Sequence, residues 1–169
     1  MDAHLYPFHH RSEVDVDASA NGLFAHLDDH RRLVTHMEKP SLMMAGATMR
    51  VEADALLGQA VGSLIRVSGR VLGTDLAVEE VVTERTVPWR KTWETRGEPR
   101  LLVIGAYRMG FTIAPQGARS RLVVFIDYRL PRRGFTHVLG LFFGRAYAAW
   151  CTRRMTTDAA TAVAGLAAS

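Results

Sequence analysis

The sequence predicts an α+β fold with an antiparallel sheet of about seven strands, a long C-terminal helix and two short helices after the first strand. Three observations support this. Short segments of alternating apolar and polar residues follow one another between residues 43 and 128, and turn-forming residues separate them, which is typical of an antiparallel meander. A helical pattern precedes this meander, and a long helical pattern follows it.

The N-terminal part contains the first strand and the two short helices. Residues Ser12–Asp17 alternate as in a strand, and Leu23, Phe24 and Leu27 then recur at helical spacing. The pattern breaks after residue 27, so we expect a second short helix at about residues 31–37.

The next six strands are predicted from period-two alternation. Turns are expected at residues 73–75, 96–99 and 115–118, and the facing of the strand at residues 76–87 is ambiguous. Within each strand, the residues expected on one face are Met43, Ala45, Ala47, Met49 and Val51, then Ile65, Val67, Gly69 and Val71, then Trp89, Lys91 and Trp93, then Leu101, Val103, Tyr107, Met109, Phe111 and Ile113, and then Leu122, Val124, Ile126 and Tyr128. The strand residues expected to face inward are Met43, Met49, Ile65, Val67, Trp89, Trp93, Tyr107, Met109, Phe111, Val124, Ile126 and Tyr128.

The C-terminal helix is expected from about residue 136 to residue 163, a length of about 40 Å. Its predicted inner seam consists of Leu139, Phe143, Ala146, Trp150, Arg153 and Thr157, with Phe142 beside it. The seam is bulky and apolar at first and becomes polar at Arg153. This change suits a helix that closes a cavity, or an arginine that extends to solvent at the sheet edge. Gly140 and Gly144 predict a close approach to another element.

Composition limits the class of protein. With 169 residues, the chain suits a single domain over residues 1–169, with a core at about 12–163 and tails at 1–11 and 164–169. Apolar residues make up 48% and charged residues 22%, as in a globular protein. The net charge of +4 is mild and the arginines are spread along the chain, so we expect no nucleic-acid partner.

Targeting signals and disulfides are not expected. The N-terminus lacks the apolar run of a signal peptide, and no stretch reaches the roughly 18–20 apolar residues of a membrane span. The one cysteine, Cys151, excludes an internal disulfide and suits a reducing cytoplasm. Nothing in the sequence suggests an activating partner for Cys151, so a small apolar helix residue is preferred to a catalytic thiol.

The order of elements resembles the helix-grip fold of the START/SRPBCC superfamily, which includes polyketide cyclase/dehydrase-like proteins, lipid-transfer domains and birch-pollen-allergen-like proteins. The resemblance covers about residues 12–163 and lies in three stretches: "VDVDASANGLFAHLDD", "GRVLGTDLAVEEVVTERTVPWRKTWETRG" and "LGLFFGRAYAAWCTRRM". It implies that a curved sheet wraps around the long helix and that a hydrophobic cavity lies between them.

An inner face rich in Met and aromatic residues suits an adaptable apolar ligand, although these side chains can also fill a solid core. The residues expected to bind such a ligand are Met49, Ile65, Val67, Trp89, Trp93, Tyr107, Met109, Val124, Ile126, Tyr128, Phe142, Phe143, Ala146, Trp150 and Arg153.

Few groups are placed for catalysis. Tyr107, Tyr128 and Arg153 are weak candidates for an acid or an anchor, and the tyrosine hydroxyls can equally be satisfied by the backbone. Glu80 and Glu84 share a face, for which a solvated outer position is preferred. The histidines, including His9, His10, His26, His30 and His36, are expected at the surface, so no metal and no cofactor is predicted.

Three functions remain open at this point. The first is binding of a small hydrophobic molecule, such as a lipid, sterol-like or polyketide-like compound. The second is a polyketide cyclase/dehydratase-like reaction in the same cavity. The third is docking to a protein or to a membrane surface through the basic loop that holds Arg132 and Arg133. The oligomeric state is left open.

Overall fold

Seven strands and two helices occur in the computed structural model, which describes residues 5–29, 49–71, 73–132 and 134–167, with side chains through residue 164. They are β1 (Phe8–Val16), α1 (Ala20–Asp28), β2 (Met49–Ala53), β3 (Leu64–Val71), β4 (Thr74–Thr86), β5 (Arg90–Arg100), β6 (Tyr107–Gln116), β7 (Arg119–Tyr128) and α2 (Phe135–Ala167). The predicted α+β fold is confirmed. The second short helix, at residues 31–37, lies outside the described residues, as do Met43, Ala45, Ala47, His30 and His36.

The strands form one antiparallel sheet in the order β1-β7-β6-β5-β4-β3-β2. The first strand of the chain pairs with the last one, with Phe8 opposite Tyr128 and Val16 opposite Ser120. The remaining strands pair with their sequence neighbours, as a meander requires. The core lies on the side of the sheet that faces α1 and α2.

Strand β5 differs from the prediction at both ends. Trp89 lies in the preceding turn rather than in the strand, and it is 44% exposed. The predicted turn at residues 96–99 is part of β5, where Gly97 has a φ of 71° and the register with β4 shifts. A glycine adopts this φ at little cost, so the chain forms a bulge instead of reversing direction.

A loop at residues 101–106 replaces the predicted start of β6. The backbone N–H of Gly105 donates to the carbonyl of Arg129 at 2.7 Å, and the Arg129 N–H donates to the carbonyl of Ala106 at 3.0 Å. Ile104 is buried within this loop. The loop therefore folds back against the end of β7, close to the start of α2.

The inner face of α2 is not the predicted seam. Phe143, Ala146, Arg153 and Thr157 are exposed, and Leu139 and Trp150 are only half-buried. The buried residues are mostly small, and they are Gly140, Gly144, Ala148, Cys151, Thr152, Met155, Thr156, Ala159 and Val163. Side-chain size was a misleading guide to the inner face, because the helix at Gly140 and Gly144 lies too close to its neighbours for large side chains.

The two helix glycines show how close this approach is. A Cβ at Gly140 would lie 2.8 Å from the carbonyl oxygen of Val103, and one at Gly144 would lie 3.2 Å from the same oxygen. The predicted close approach at both glycines is confirmed. The loop at residues 101–106 is the partner.

Buried ionic contacts attach α1 to the sheet. The Nζ of Lys91 is fully buried, donates to the backbone carbonyl of Asp28 at 2.7 Å and lies 3.2 Å from its carboxylate. Arg85 adds a hydrogen bond to the same carboxylate at 2.7 Å. Lys91 faces the same side as Trp93, as predicted.

Candidate functional site

A small cavity lies between the sheet, the loop at residues 101–106 and α2. Its volume is about 40 Å³, which is room for a few water molecules and far below the roughly 300–1,000 Å³ of a typical organic ligand pocket. The lining residues are Val78, Glu80, Trp93, Leu101, Ile104, Tyr107, Met109, Ile126, Tyr147, Cys151 and Met155. Most of this lining is apolar.

A buried carboxylate and phenol face each other in this lining. The hydroxyl of Tyr107, on β6, donates a short hydrogen bond to Glu80, on β4, and both side chains are buried. Burial, followed by the charge and the hydrogen bond of Glu80, raises the pKa of Tyr107 well above its usual value. The phenol therefore stays protonated across the physiological pH range and remains a hydrogen-bond donor.

A second polar pair lines the helix side of the cavity. Burial raises the pKa of Cys151 to about 12, although a hydrogen bond from Tyr147 opposes this rise. Burial also raises the pKa of Tyr147 well above its usual value. Both groups are neutral at physiological pH, so Cys151 lacks the thiolate that a nucleophile needs. This agrees with the predicted role of Cys151 as a small helix residue.

Comparison with known proteins identifies the fold. No protein-family profile and no curated protein matches the sequence. Solved structures do match. Zhui aromatase/cyclase from Streptomyces sp. R1128 has a TM-score of 0.62 at 17% identity, covering 95% of this chain and 93% of that one. Ara h 8.0201 has a TM-score of 0.56 at 8% identity, covering 94% and 98%.

Norcoclaurine synthase from Thalictrum flavum, in complex with dopamine and hydroxybenzaldehyde, has a TM-score of 0.58 at 15% identity, covering 94% of this chain and 87% of that one. The same curved antiparallel sheet and long C-terminal helix thus recur over nearly the whole chain. This protein has a helix-grip fold. At these identities the likeness establishes the fold, and not a ligand or a reaction.

Nine of the residues predicted to bind a ligand are buried. Four of them line the cavity, namely Trp93, Tyr107, Met109 and Ile126. Five others are buried in the core outside this lining, namely Met49, Ile65, Val67, Val124 and Tyr128. Tyr128 stacks on Phe8 with ring centroids 5.4 Å apart, and burial raises its pKa.

Four residues of α2 that were predicted to face inward and to bind a ligand are exposed instead. Phe142 is 76% exposed and Phe143 is 54% exposed, because the helix turns its small residues inward. Ala146 is also exposed. Arg153 is exposed and its Nε donates to the carbonyl of Ala149 at 3.2 Å, so it extends along the outer surface of the helix and does not enter the cavity. Trp150 is half-buried, and its ring lies beside that of Tyr147, with centroids 5.8 Å apart and planes tilted by 38°.

Glu80 was predicted on a solvated face and is instead only 3% exposed. The strand is buried at Leu76, Val78, Glu80 and Val82, so period-two alternation places Glu80 inside. The inward position of Glu80 was not predicted, because two successive glutamates, Glu79 and Glu80, obscure the alternation of this strand. Tyr147 and Met155 were also missed, and their four-residue spacing from Cys151 was the available signal.

A second, more open groove borders the cavity at the start of α2. It has a volume of about 330 Å³ and is lined by Thr74, Asp75, Leu76, Glu98, Pro99, Arg100, Leu101, Leu102, Pro131, Arg132 and Thr136. Leu101 lines both spaces, so the groove and the cavity adjoin at this residue. Glu98 lies in the groove wall and pairs with Arg129 at 2.8 Å and Arg132 at 3.5 Å.

Two of the histidines predicted at the surface contact side chains of other elements. His9 pairs with Asp127, and His10 lies 2.9 Å from the hydroxyl of Thr152. Within the described residues, no group of three or more His, Cys, Asp and Glu side chains is arranged to hold a metal ion. No helix in that part of the chain is both long enough and apolar enough to cross a bilayer.

Proposed function

We propose that this protein binds a small, mainly apolar molecule with one hydroxyl or carbonyl group, such as a lipid, sterol-like or polyketide-like compound, in the cavity between the sheet and α2. The observation that carries this proposal is the buried Glu80–Tyr107 pair in a mostly apolar lining. Apolar pockets with a few placed polar groups are typical of small-molecule sites.

The lining can adapt to a larger molecule. Met109 and Met155 have flexible, polarizable side chains that repack around different shapes. Leu101 closes the cavity from a loop rather than from a strand, so its movement does not break sheet hydrogen bonds. We infer that a ligand displaces these side chains and opens the cavity toward the groove. Apolar burial then supplies about 25 cal/mol per Å² of affinity.

The polar pair would set the orientation of the ligand. The Glu80 carboxylate and the Tyr107 oxygen offer acceptors to a ligand hydroxyl, and the phenol offers a donor to a carbonyl. The norcoclaurine synthase complex described above contains dopamine and hydroxybenzaldehyde, and both molecules combine an aromatic ring with oxygen groups. We also propose a cytoplasmic location, which the free thiol of Cys151 supports.

Fluorescence titration with N-phenylnaphthylamine tests the proposal. Leu101→Trp should weaken probe binding by at least about tenfold, since extra volume in a packed site costs about 1–3 kcal/mol. Leu102→Trp is the matched control, because Leu102 lines the groove but not the cavity. Equal losses in the two variants, or no saturable binding to the wild type, would contradict binding in the cavity.

A second candidate function, a cyclase/dehydratase-like reaction, is favoured by the same pair. Glu80 would take a proton from the carbon beside a carbonyl, and Tyr107 would give its proton to the departing hydroxyl, which leaves as water. The proton on Glu80 then returns to the Tyr107 phenolate through their hydrogen bond. The raised pKa of Tyr107 opposes the phenolate, and we therefore place binding first.

Deuterium exchange tests this reaction without knowledge of the natural substrate. In D₂O, a reactive site should speed deuterium incorporation beside the carbonyl of β-tetralone, as followed by NMR. Glu80→Gln should abolish the acceleration while N-phenylnaphthylamine still binds. Exchange no faster than in buffer alone would remove the enzymatic candidate and leave the binding function standing.

A further inference from the structure

The first three turns of α2 expose an unusual number of large apolar side chains. The exposed fractions are 75% for Phe135, 47% for Val138, 61% for Leu141, 76% for Phe142 and 54% for Phe143. We call these five residues the α2 apolar surface. An exposed cluster of this kind marks an interaction site more often than it occurs by chance on a free monomer.

A longer segment that includes these turns holds the excess positive charge of the protein. Residues 130–157 include five arginines and no acidic residue. The whole chain has 21 basic and 17 acidic residues, so the rest of the chain carries a net charge of about −1. Arg145 is exposed, and the Arg132 side chain is 70% exposed.

Apolar and basic residues form a single stripe on the helix. Phe135, Val138, Phe142 and Arg145 are spaced 3, 4 and 3 residues apart, so their side chains share one face. Arg132 precedes the helix and Arg145 follows the apolar turns. The aromatic side chains are thus flanked by cations at both ends, as in segments that bind at the membrane interface.

The position of this stripe relates it to the cavity. Pro131, Arg132 and Thr136, which lie immediately before and within the first turn of α2, line the open groove. That groove adjoins the cavity at Leu101, which lines both. The α2 apolar surface therefore lies beside the mouth through which we expect a ligand to pass.

We propose that the α2 apolar surface, with Arg132 and Arg145, docks on a lipid bilayer that carries anionic headgroups. Phe135 and Phe142 insert into the boundary between headgroups and acyl chains, and the arginines contact phosphates. Charge decides between a bilayer and a second copy of this chain. A symmetric dimer through this surface would place its arginines opposite those of the partner, which costs free energy.

Docking goes beyond the proposed ligand binding and does not require it. Transfer of an apolar molecule from the bilayer through the groove into the cavity would be the consequence of both together, and that step rests on the proposed function. The two are separable, since vesicle binding can be measured on the full chain without any ligand.

Vesicle co-sedimentation tests the docking. The full-length protein should sediment with vesicles of equal parts phosphatidylcholine and phosphatidylglycerol, bind those of phosphatidylcholine alone more weakly, and lose affinity as salt is raised. Phe142→Ser should weaken binding by about tenfold, and Phe135→Ser should do the same. Arg145→Gln should weaken binding by about fivefold.

Matched controls lie elsewhere on the surface. Leu56 and Val61 are 51% and 60% exposed in the segment between β2 and β3, and their Ser variants should bind vesicles as the wild type does. Arg50→Gln removes an arginine whose side chain is 80% exposed, and it should also have no effect. All six positions are exposed, so the variants are expected to fold.

Three results would overturn the proposal. They are an absence of vesicle binding by the wild type, an equal loss in the Leu56, Val61 or Arg50 controls, and concentration-dependent dimerisation by light scattering that Phe142→Ser abolishes while vesicle binding stays unchanged. If the proposed ligand binding is wrong but the docking is right, the protein will not bind N-phenylnaphthylamine in solution and will still bind to the vesicles.

Discussion

The phenol of Tyr107 on β6 donates a hydrogen bond to the carboxylate of Glu80 on β4, across the strand β5 that lies between them. The loss of this bond has a predictable effect. Tyr107→Phe should lower the free energy of unfolding by about 1–3 kcal/mol, because buried Glu80 loses a donor. The affinity for N-phenylnaphthylamine should change by less than about twofold, since apolar burial supplies that binding.

Urea denaturation and probe titration of the same samples check both parts of this prediction. Glu80→Gln is the matched variant, because its amide oxygen can still accept from Tyr107, and it should be less destabilising than Tyr107→Phe. A large loss of probe affinity in Tyr107→Phe without a change in stability would show that the phenol serves the ligand directly.

The buried ionic contacts of Asp28 predict a dependence of stability on pH. Burial acts to raise the pKa of Asp28, but the hydrogen bond from Arg85 and the charge of Lys91 outweigh it, so the pKa is lowered. A lowered pKa in the folded state adds stability at neutral pH, which is lost as the pH falls from about 4 through the folded-state pKa.

Asp28→Asn should therefore cost about 3 kcal/mol at neutral pH, since it leaves Lys91 buried without its counter-charge. The difference from the wild type should shrink as the pH falls below about 4, because the wild type then loses the stability that its ionised carboxylate supplies. Asp15→Asn, at an exposed pair with Arg121, is the control and should have a much smaller effect. A pH-independent difference would contradict the ionic account of this site.

The close approach of α2 predicts an unusual response to alanine. Gly140→Ala should lower the free energy of unfolding by about 1–2 kcal/mol, because the new Cβ would meet the Val103 carbonyl and its strain exceeds the gain in helix propensity. Gly22→Ala in α1 is the matched control. Its Cβ meets only the Ser19 hydroxyl at 3.4 Å, so it should be neutral or stabilising. Thermal denaturation of both variants shows whether each substitution lowers or raises the stability of the protein.

Cys151 provides a direct probe of the cavity wall. With a pKa of about 12, the buried thiol should react with iodoacetamide at least about a thousandfold more slowly than an unfolded cysteine at pH 8. The rate can be followed by mass spectrometry, with protein in denaturant as the reference. Rapid labelling of the native protein would show that the thiol is exposed or activated, contrary to this structure.

The strands were the most predictable part of the molecule. Alternation correctly placed Ile65 and Val67, Lys91 and Trp93, and Val124 and Ile126 on the inner face, because a half-buried sheet imposes a period of two on its sequence. It failed where the alternation was unclear or ended early. Glu80 turned inward despite its charge, and Trp89 fell in a turn.

The inner face of α2 could not be predicted from residue size. Hydrophobic periodicity favours Phe143 as a core residue, whereas the loop at residues 101–106 approaches this part of the helix so closely that only Gly140 and Gly144 fit against it. The distance between α2 and the elements packed against it decides which residues face inward, and that distance depends on tertiary packing. The Glu80–Tyr107 pair was hidden for a similar reason, since the two residues are 27 positions apart and meet only in the folded sheet.

Binding in the cavity is tested most directly by NMR of the protein with ¹³C-labelled methionine methyl groups. Met109 and Met155 line the cavity, while Met49 is buried outside this lining and serves as the internal control. Saturating N-phenylnaphthylamine should give nuclear Overhauser contacts to the methyls of Met109 and Met155 and leave Met49 without one. Contacts to Met49 alone, or a bound probe that contacts neither Met109 nor Met155, would contradict the proposed site.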